Sequence, residues 1–404
     1  MRVVFVHQNM PGQFIHLARA LAADPANQVV FITKRDDRQL ANVTRLTYTL
    51  QREPKPATHH YLAGLESHIL YGQAVLRVLQ ALLAKDFRPD LIIGHPGWGE
   101  LLFVKDILPD TPMISYAEYF YSGDHTVLDT FTFERLSLDS RARRRMMESH
   151  LLTSLVAADR CWSPTRFQKQ THPPELRHKI DVVFEGVDTD RIAPDPQAVF
   201  DLGEGRSLTA KDEVVTYAAR GLEPMRGFPQ FIRALPRLLE RRPRCQVVIA
   251  GEDKPHYGGA PENFDNWREF MLAEVPLDPS RVHFTGWLER ANYNRLLQIS
   301  RVHVYLTAPF ALSWGLFEAM STGCLVLASD VPPVRELIVD RKNGLFTSLT
   351  DVGRISADIE AALDHPGAEA LRKAARQTIV ERYGLKACLQ RQLELVRRAA
   401  RPKK

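Results

Sequence analysis

Residues 309–329, PFALSWGLFEAMSTGCLVLAS, constrain this chain more than any other stretch. A turn with Pro309, Ser313 and Gly315 leads into a short apolar run, 316–322, that reads as a helix with one carboxylate, Glu318, in its first turn. Gly323 stops that helix, because glycine takes the left-handed C-cap conformation without strain. Residues 324–328 follow as a buried strand. A loop feeding a helix N-terminus offers backbone N–H groups and the positive end of the helix dipole, which suit a phosphate. A carboxylate is a poor neighbour for that phosphate, so the better partner for Glu318 is a pair of hydroxyls, such as those of a ribose. The alternative is a plain buried β–α unit whose glutamate is a helix-end charge.

The same alternation runs along the chain. An apolar strand at the N-terminus ends in His7-Gln8-Asn9-Met10-Pro11-Gly12-Gln13, and an amphipathic helix follows. Strand, loop and helix in that order open a parallel α/β domain. Gly12 lets a backbone approach a ligand, and His7 lies at the carboxyl end of the strand, where such folds bind ligands. A further strand, 90–93, runs into Gly94-His95-Pro96-Gly97-Trp98-Gly99-Glu100, a tight loop. His95, Trp98 and Glu100 make a candidate sugar surface, since a sugar ring stacks on an indole and hydroxyls take charged partners. Strand 113–116 ends in Glu118-Tyr119-Phe120-Tyr121, a second polar and aromatic edge. The plain readings are that Trp98 covers core and Glu118 is a solvated loop charge. Residues 122–140 read as a mobile loop. Residues 141–157 read as one helix carrying Arg141, Arg143, Arg144 and Arg145, either a solvated face or a surface drawn to anionic lipid or a phosphorylated acceptor.

Residues 193–211, with Pro194, Pro196 and two glycines, mark the best domain boundary. Strand 213–218 restarts the pattern and ends in a loop carrying Arg220 and Arg226, two cations that would accept a diphosphate and stabilise it as it leaves. A final helix, 385–400, precedes a frayed basic tail. The net charge of +5 is mild and no RNA or DNA motif is present, so nucleic acid is not expected as a partner. Four well-separated cysteines read as buried thiols of a reducing compartment. With no signal-like N-terminus and no apolar run of ~18 residues, the expected location is cytoplasmic.

These motifs, in this order, carry a resemblance. The chain resembles a family 4 retaining glycosyltransferase of the GT-B type, and the likeness covers nearly all of it. The matching features are the Pro11-Gly12 loop, the Glu185-Gly186-Val187-Asp188 turn, Arg220 with Arg226, Val282-His283-Phe284-Thr285-Gly286, Gly315-Leu316-Phe317-Glu318-Ala319-Met320 with Gly323, and Pro333-Val334-Arg335-Glu336. The wording HQNMPGQF with HPGWGE resembles one bacterial branch. The resemblance implies two Rossmann-like α/β domains with a cleft between them: an acceptor domain over 1–195, a donor domain over 210–382, and a segment 383–404 whose helix packs back on the first. It implies transfer of a hexose or deoxyhexose from a nucleotide-sugar to a hydroxyl of a glycan, lipid-linked or protein acceptor, in bacterial glycan synthesis. Glu318 would bind the ribose, and the N–H groups of Ser313, Trp314, Gly315 and Leu316 the phosphates. Leu288 would face the base, and Gly12 would approach the donor. Arg220 and Arg226 would steady the leaving group with no metal or other cofactor, and His95 and Glu118 would join them in catalysis. His7, Trp98 and Glu100 would meet the acceptor. An anionic membrane's inner face is a candidate peripheral partner.

Two departures from the family pattern stand out. Its paired-glutamate motif would put a first glutamate at position 310, where this chain has Phe310. The histidine often found just after the fifth N-terminal strand is absent from Tyr116-Ala117-Glu118-Tyr119. Two further readings stay open: a nucleotide-sugar epimerase, and a non-catalytic nucleotide- or glycan-binding protein, which the missing glutamate raises.

Overall fold

The structure is a computed structural model that describes residues 1–55, 58–121 and 137–400. These residues divide into two units. One holds 1–121, 137–186 and 386–400, the other 187–385.

The first unit is built on seven parallel strands: β1 (Arg2–Val6), β2 (Gln28–Thr33), β3 (Val43–Thr47), β4 (Leu91–Gly94), β5 (Met113–Tyr116), β6 (Arg160–Ser163) and β7 (Ile180–Val182). Their order is β3-β2-β1-β4-β5-β6-β7. The apolar runs are continuous rather than alternating because helices cover both faces of a parallel sheet. One face buries Phe5, Phe14, Phe31 and Trp162 together with Leu395 and Val396, which come from the helix at the C-terminus (Leu385–Ala399). The other face packs Val4, Ile32 and Ile92 under the long helix Ala63–Ala84, through Val75 and Leu79. The strand order reverses beside β1, so the ends of β1 and β4 form the crevice where such sheets take ligands.

The second unit repeats the plan with six strands in the order β12-β11-β10-β13-β14-β15. It begins with an antiparallel hairpin, β8 (Val199–Gly203) and β9 (Arg206–Thr209). The parallel strands are β10 (Val214–Gly221), β11 (Gln246–Glu252), β12 (Val282–Gly286), β13 (Val302–Tyr305), β14 (Val326–Ser329) and β15 (Leu345–Thr347). Here too the order reverses, between β10 and β13.

Several expectations are corrected. Residues 193–211 are not a bare linker. They carry the hairpin, whose Phe200 and Leu208 pack on Val214 and Leu296, while the glycines that suggested a boundary turn the hairpin at positive φ (Gly203 +84, Gly205 +73). The arginine-rich helix is two helices, Leu138–Met147 and Ser149–Ala157, and it starts inside the segment read as a loop. The break falls at Glu148, a buried residue whose carboxyl burial pushes up to about 8 against the opposing charge of Arg144. The rest of that loop, 122–136, and the tail 401–404 lie outside the described residues. The helix bearing Glu318 runs Trp314–Thr322, so the glutamate stands in the second turn, not the first. The cysteines are buried free thiols. Among the described residues, no helix is long and apolar enough to cross a membrane.

Candidate functional site

In the second unit, a polar cluster gathers where β10, β11 and β13 end. The helix Trp314–Thr322 starts there because Ser313 provides an extended N-cap residue, and it stops at Gly323, which takes φ +78. Glu318 points into the unit and is 7% exposed. Arg290, at the head of helix Arg290–Gln298, donates from Nη1 to its Oε1 at 2.7 Å. Burial raises the Glu318 carboxyl above its ordinary value, while Arg290 and a hydrogen bond from Tyr293 pull it back. The result is a carboxylate held in one place with lone pairs for hydroxyl donors. No local signal could have announced Arg290, which stands 28 residues from its partner.

The two expected cations differ in their surroundings. Arg220, second-last in β10, is exposed. Arg226 ends the 3₁₀ turn Pro224–Arg226 and is buried. Its Nη1 donates to Thr307 Oγ1 at 2.7 Å, and Nη1 and Nη2 reach the Ala311 carbonyl at 3.3 Å. The rings of Tyr257 and Phe310 lie 5.9 Å and 5.8 Å from its guanidinium carbon. So Phe310, where the family pattern has a carboxylate, is a buried ring on Tyr257 and Arg226. Arg226 is therefore not the loose counterpart of Arg220 that the sequence suggested.

The loop amides are also partly committed. Ser313 N–H donates to the Tyr305 hydroxyl at 3.1 Å and Leu316 N–H to the Ser313 carbonyl at 3.2 Å, which corrects the expectation that both face a phosphate. Trp314 and Gly315 occupy the first two helical positions. Leu288, set to face a base, is half-buried against the β8–β9 core. Sequence reasoning passed over Glu223. Its Oε2 accepts the N–H groups of His256 and Tyr257, each at 2.7 Å, and so fixes the ring that covers Arg226.

A second cluster occupies the first unit at the ends of β1, β4 and β5. His7 Nδ1 accepts from Asn9 N–H at 2.8 Å, which leaves its proton on Nε2, 2.7 Å from Gln13 Oε1. Gln13 Nε2 donates to Glu118 Oε1 at 2.9 Å. His95 Nδ1 accepts from Gly97 N–H at 2.9 Å, so its Nε2 donates to Glu118 Oε2 at 3.2 Å. Every proton in this relay thus points toward Glu118. Burial pushes that carboxyl up, but the hydrogen bonds from His95 and Gln13 help to leave it below its ordinary value. His7 is driven down to about 3 by burial and by His95. Gly12 permits this packing, for at φ +50 a Cβ there would lie 2.5 Å from His7 Nε2. That contact is with His7, so the structure gives Gly12 a packing reason beside the donor role expected of it. Trp98 is half-buried, with its ring 5.3 Å from His7 and 4.9 Å from His95.

Glu100 does not join them. It is fully buried, accepts the Tyr48 hydroxyl at 2.8 Å, and burial lifts its carboxyl to about 7. Of the three residues proposed as a sugar surface, His95 and Trp98 therefore lie in this cluster and Glu100 does not. Gln13 joins the cluster instead through its bonds to His7 and Glu118, a residue whose position just past the Pro11-Gly12 turn was its only sequence signal.

Two parallel-sheet α/β units, each with polar groups at the carboxyl ends of its strands, define a protein of the GT-B class. Residues 25–192 match the model for the glycosyl transferase family 4 group, and residues 204–378 that for glycosyl transferases group 1. The chain belongs to the family 4 glycosyltransferases. It is 24% identical over 323 residues to a glycogen synthase of Mycobacterium tuberculosis, covering 77% of this chain and 69% of that one. Among solved structures it is similar to a sucrose-phosphate synthase from Thermosynechococcus elongatus (TM-score 0.71, 18% identity, 98% of each chain). It is also similar to Anabaena HepE in complex with UDP (TM-score 0.70, 16% identity, 98% of this chain and 100% of that one).

Proposed function

We propose that this protein transfers a sugar from a nucleoside-diphosphate donor to an acceptor hydroxyl, with retention of anomeric configuration. The observation that carries the reading is Glu318, a carboxylate buried at a sheet's carboxyl edge and held by Arg290 and Tyr293. It suits the two hydroxyls of a ribose, and the UDP complex of HepE favours a uridine nucleotide. In the reaction the bond from C1 to the diphosphate oxygen breaks and its electron pair leaves with the diphosphate. The acceptor oxygen bonds to C1 on the same face, and its proton passes to the oxygen of the departing diphosphate. Arg220 meets the charge that grows on the leaving group. Arg226, fixed by Thr307 and the Ala311 carbonyl beside the rings of Tyr257 and Phe310, adds a positive field that needs no reorganisation. These cations supply countercharge of the kind a metal ion supplies elsewhere, so the reaction is read as metal-independent.

The first unit is read as the acceptor side. Glu118 accepts a hydrogen bond from the incoming hydroxyl, and His95 and Gln13 hold it for that purpose. Phe310 leaves no carboxylate for the donor sugar's hydroxyls at that position, so backbone amides meet them or the sugar is a deoxyhexose. The arginines of Leu138–Met147, a helix with no buried residue, suit a peripheral site on an anionic inner membrane face, within bacterial glycan synthesis.

The test is a thermal-shift panel of UDP, GDP, ADP and their sugars, followed by product analysis by NMR. A true donor at 100 times its Kd adds about 2.7 kcal/mol of stability. Glu318→Ala and Arg220→Ala should keep the fold and lose transfer. Full transfer by either variant, or an inverted product, would overturn the assignment.

A further inference from the structure

We propose that a polar hollow on the second unit, separate from the cluster around Glu318, binds a phosphate-type anion. The hollow encloses ≈ 390 Å³ and its lining includes Arg301, Asp364, His365, Ala368 and Arg372. Arg301 immediately precedes β13, whereas the groups around Glu318 use Tyr305 and Thr307 at the other end of that strand. A four-residue strand spans about 13 Å, so the two places are distinct.

The hollow is built rather than incidental. Arg301 Nε donates to the Leu363 carbonyl at 3.3 Å, and Arg372 Nη2 donates to the Arg301 carbonyl at 2.7 Å. A guanidinium has several N–H donors, so one anchoring bond fixes its plane and leaves the rest available. His365 Nδ1 accepts from Gly367 N–H at 3.0 Å, which puts its own proton on Nε2 as a further donor. One carboxylate lines the space, Asp364, and Arg242 grips both its oxygens at 2.6 Å and 2.9 Å. Arg242 is itself held by Glu213, so the two guanidinium groups that line the space, Arg301 and Arg372, leave a local excess of positive charge over its single carboxylate. Helix Ala368–Tyr383 begins at the hollow and adds the positive end of its dipole, while Glu369 on its first turn is exposed and does not line the space. Guanidinium forks match the oxygens of a phosphate, and the polar lining gives an apolar ligand nothing to bury against. The chemical class is therefore a free phosphate or a small phosphorylated ester.

This goes beyond the transfer reaction and does not depend on it. Equilibrium dialysis with radiolabelled inorganic phosphate tests it, on the full chain with Arg220→Ala as a control for the donor cluster. The expected result is saturable binding that Arg220→Ala retains and that Arg301→Ser or Arg372→Ser weakens at least tenfold. Arg301 is exposed, so its replacement leaves the fold in place, and melting without phosphate verifies this. The proposal is overturned by no saturable binding in the wild type, by binding that both serine variants keep, or by binding lost in Arg220→Ala instead.

Discussion

The Arg290–Glu318 pair gives the sharpest handle on the donor site. Arg290→Met removes the guanidinium that donates at 2.7 Å but keeps an apolar stem beside Tyr293. Arg290 is 56% exposed on its side chain, so the change leaves no hole in the core. A hydrogen bond to a charged group contributes about 1.5–3 kcal/mol. Solvent around Arg290 cuts this just below that range, to about 1.4 kcal/mol. On the proposed role of Glu318 as the ribose partner, nucleoside-diphosphate affinity should fall about tenfold. The pH dependence carries the sign. Burial already raises the Glu318 carboxyl, and Arg290 is the main force pulling it down. Losing Arg290 raises it further, so the pH at which affinity climbs to its plateau moves upward in the variant. A group raised in the fold contributes stability that is complete below its unfolded value and lost as pH rises. The variant should therefore lose stability more steeply toward neutral pH. Calorimetric titration with UDP from pH 5 to 9 reads the binding effect, and urea unfolding the stability. Unchanged affinity together with an unmoved midpoint would refute the pairing of Glu318 with a ribose.

Other consequences can be checked as directly. Arg226→Ala should cost about 2–3 kcal/mol in urea unfolding, since it leaves the Ala311 carbonyl unpaired and removes the guanidinium packed beside the Tyr257 and Phe310 rings, whereas Arg220→Ala should change stability little. Glu118→Gln should lower kcat for transfer about a hundredfold while the Kd for nucleoside diphosphate stays put, and loss of nucleotide binding would place Glu118 on the donor side instead. His303, buried and pushed down to about 4, binds its proton more readily in the unfolded chain. Its stabilising effect is present above the ordinary histidine value and fades as pH falls toward 4, so His303→Gln should flatten the loss of unfolding free energy in that window. Replacing Arg141, Arg143 and Arg145 with Glu should abolish flotation with phosphatidylglycerol vesicles, and flotation that survives would assign those arginines to plain solvation.

Much of this architecture could be read from apolar runs, because a parallel strand covered on both faces cannot hide its composition. Strands such as β1, β4 and β13 announce themselves, and Gly323 marks a helix end by its one special conformation. The hairpin β8–β9 escaped because its turn glycines look like a linker until Phe200 and Leu208 are seen to bury. The placement of His7, His95, Glu118 and Arg220 at or beside strand ends, and of Glu318 on a short helix, was legible. What could not be read was how they are paired. Gln13 reaches Glu118 across 105 positions, and Arg290 meets Glu318 across 28, distances over which no periodicity carries information. Glu100 misled for the converse reason, since a loop rich in glycine gives no sign of which side chain turns inward to Tyr48.

The position of Leu395 and Val396 has a temporal meaning. Both are fully buried in the core that Phe5 and Phe14 also occupy, so residues made before the second unit and residues made after it share one interior. The opening sheet must wait, with part of its apolar face uncovered, while the whole intervening unit is synthesised. A chain stalled before Leu395 would leave that face of its first sheet bare, and chaperone demand should concentrate in that interval.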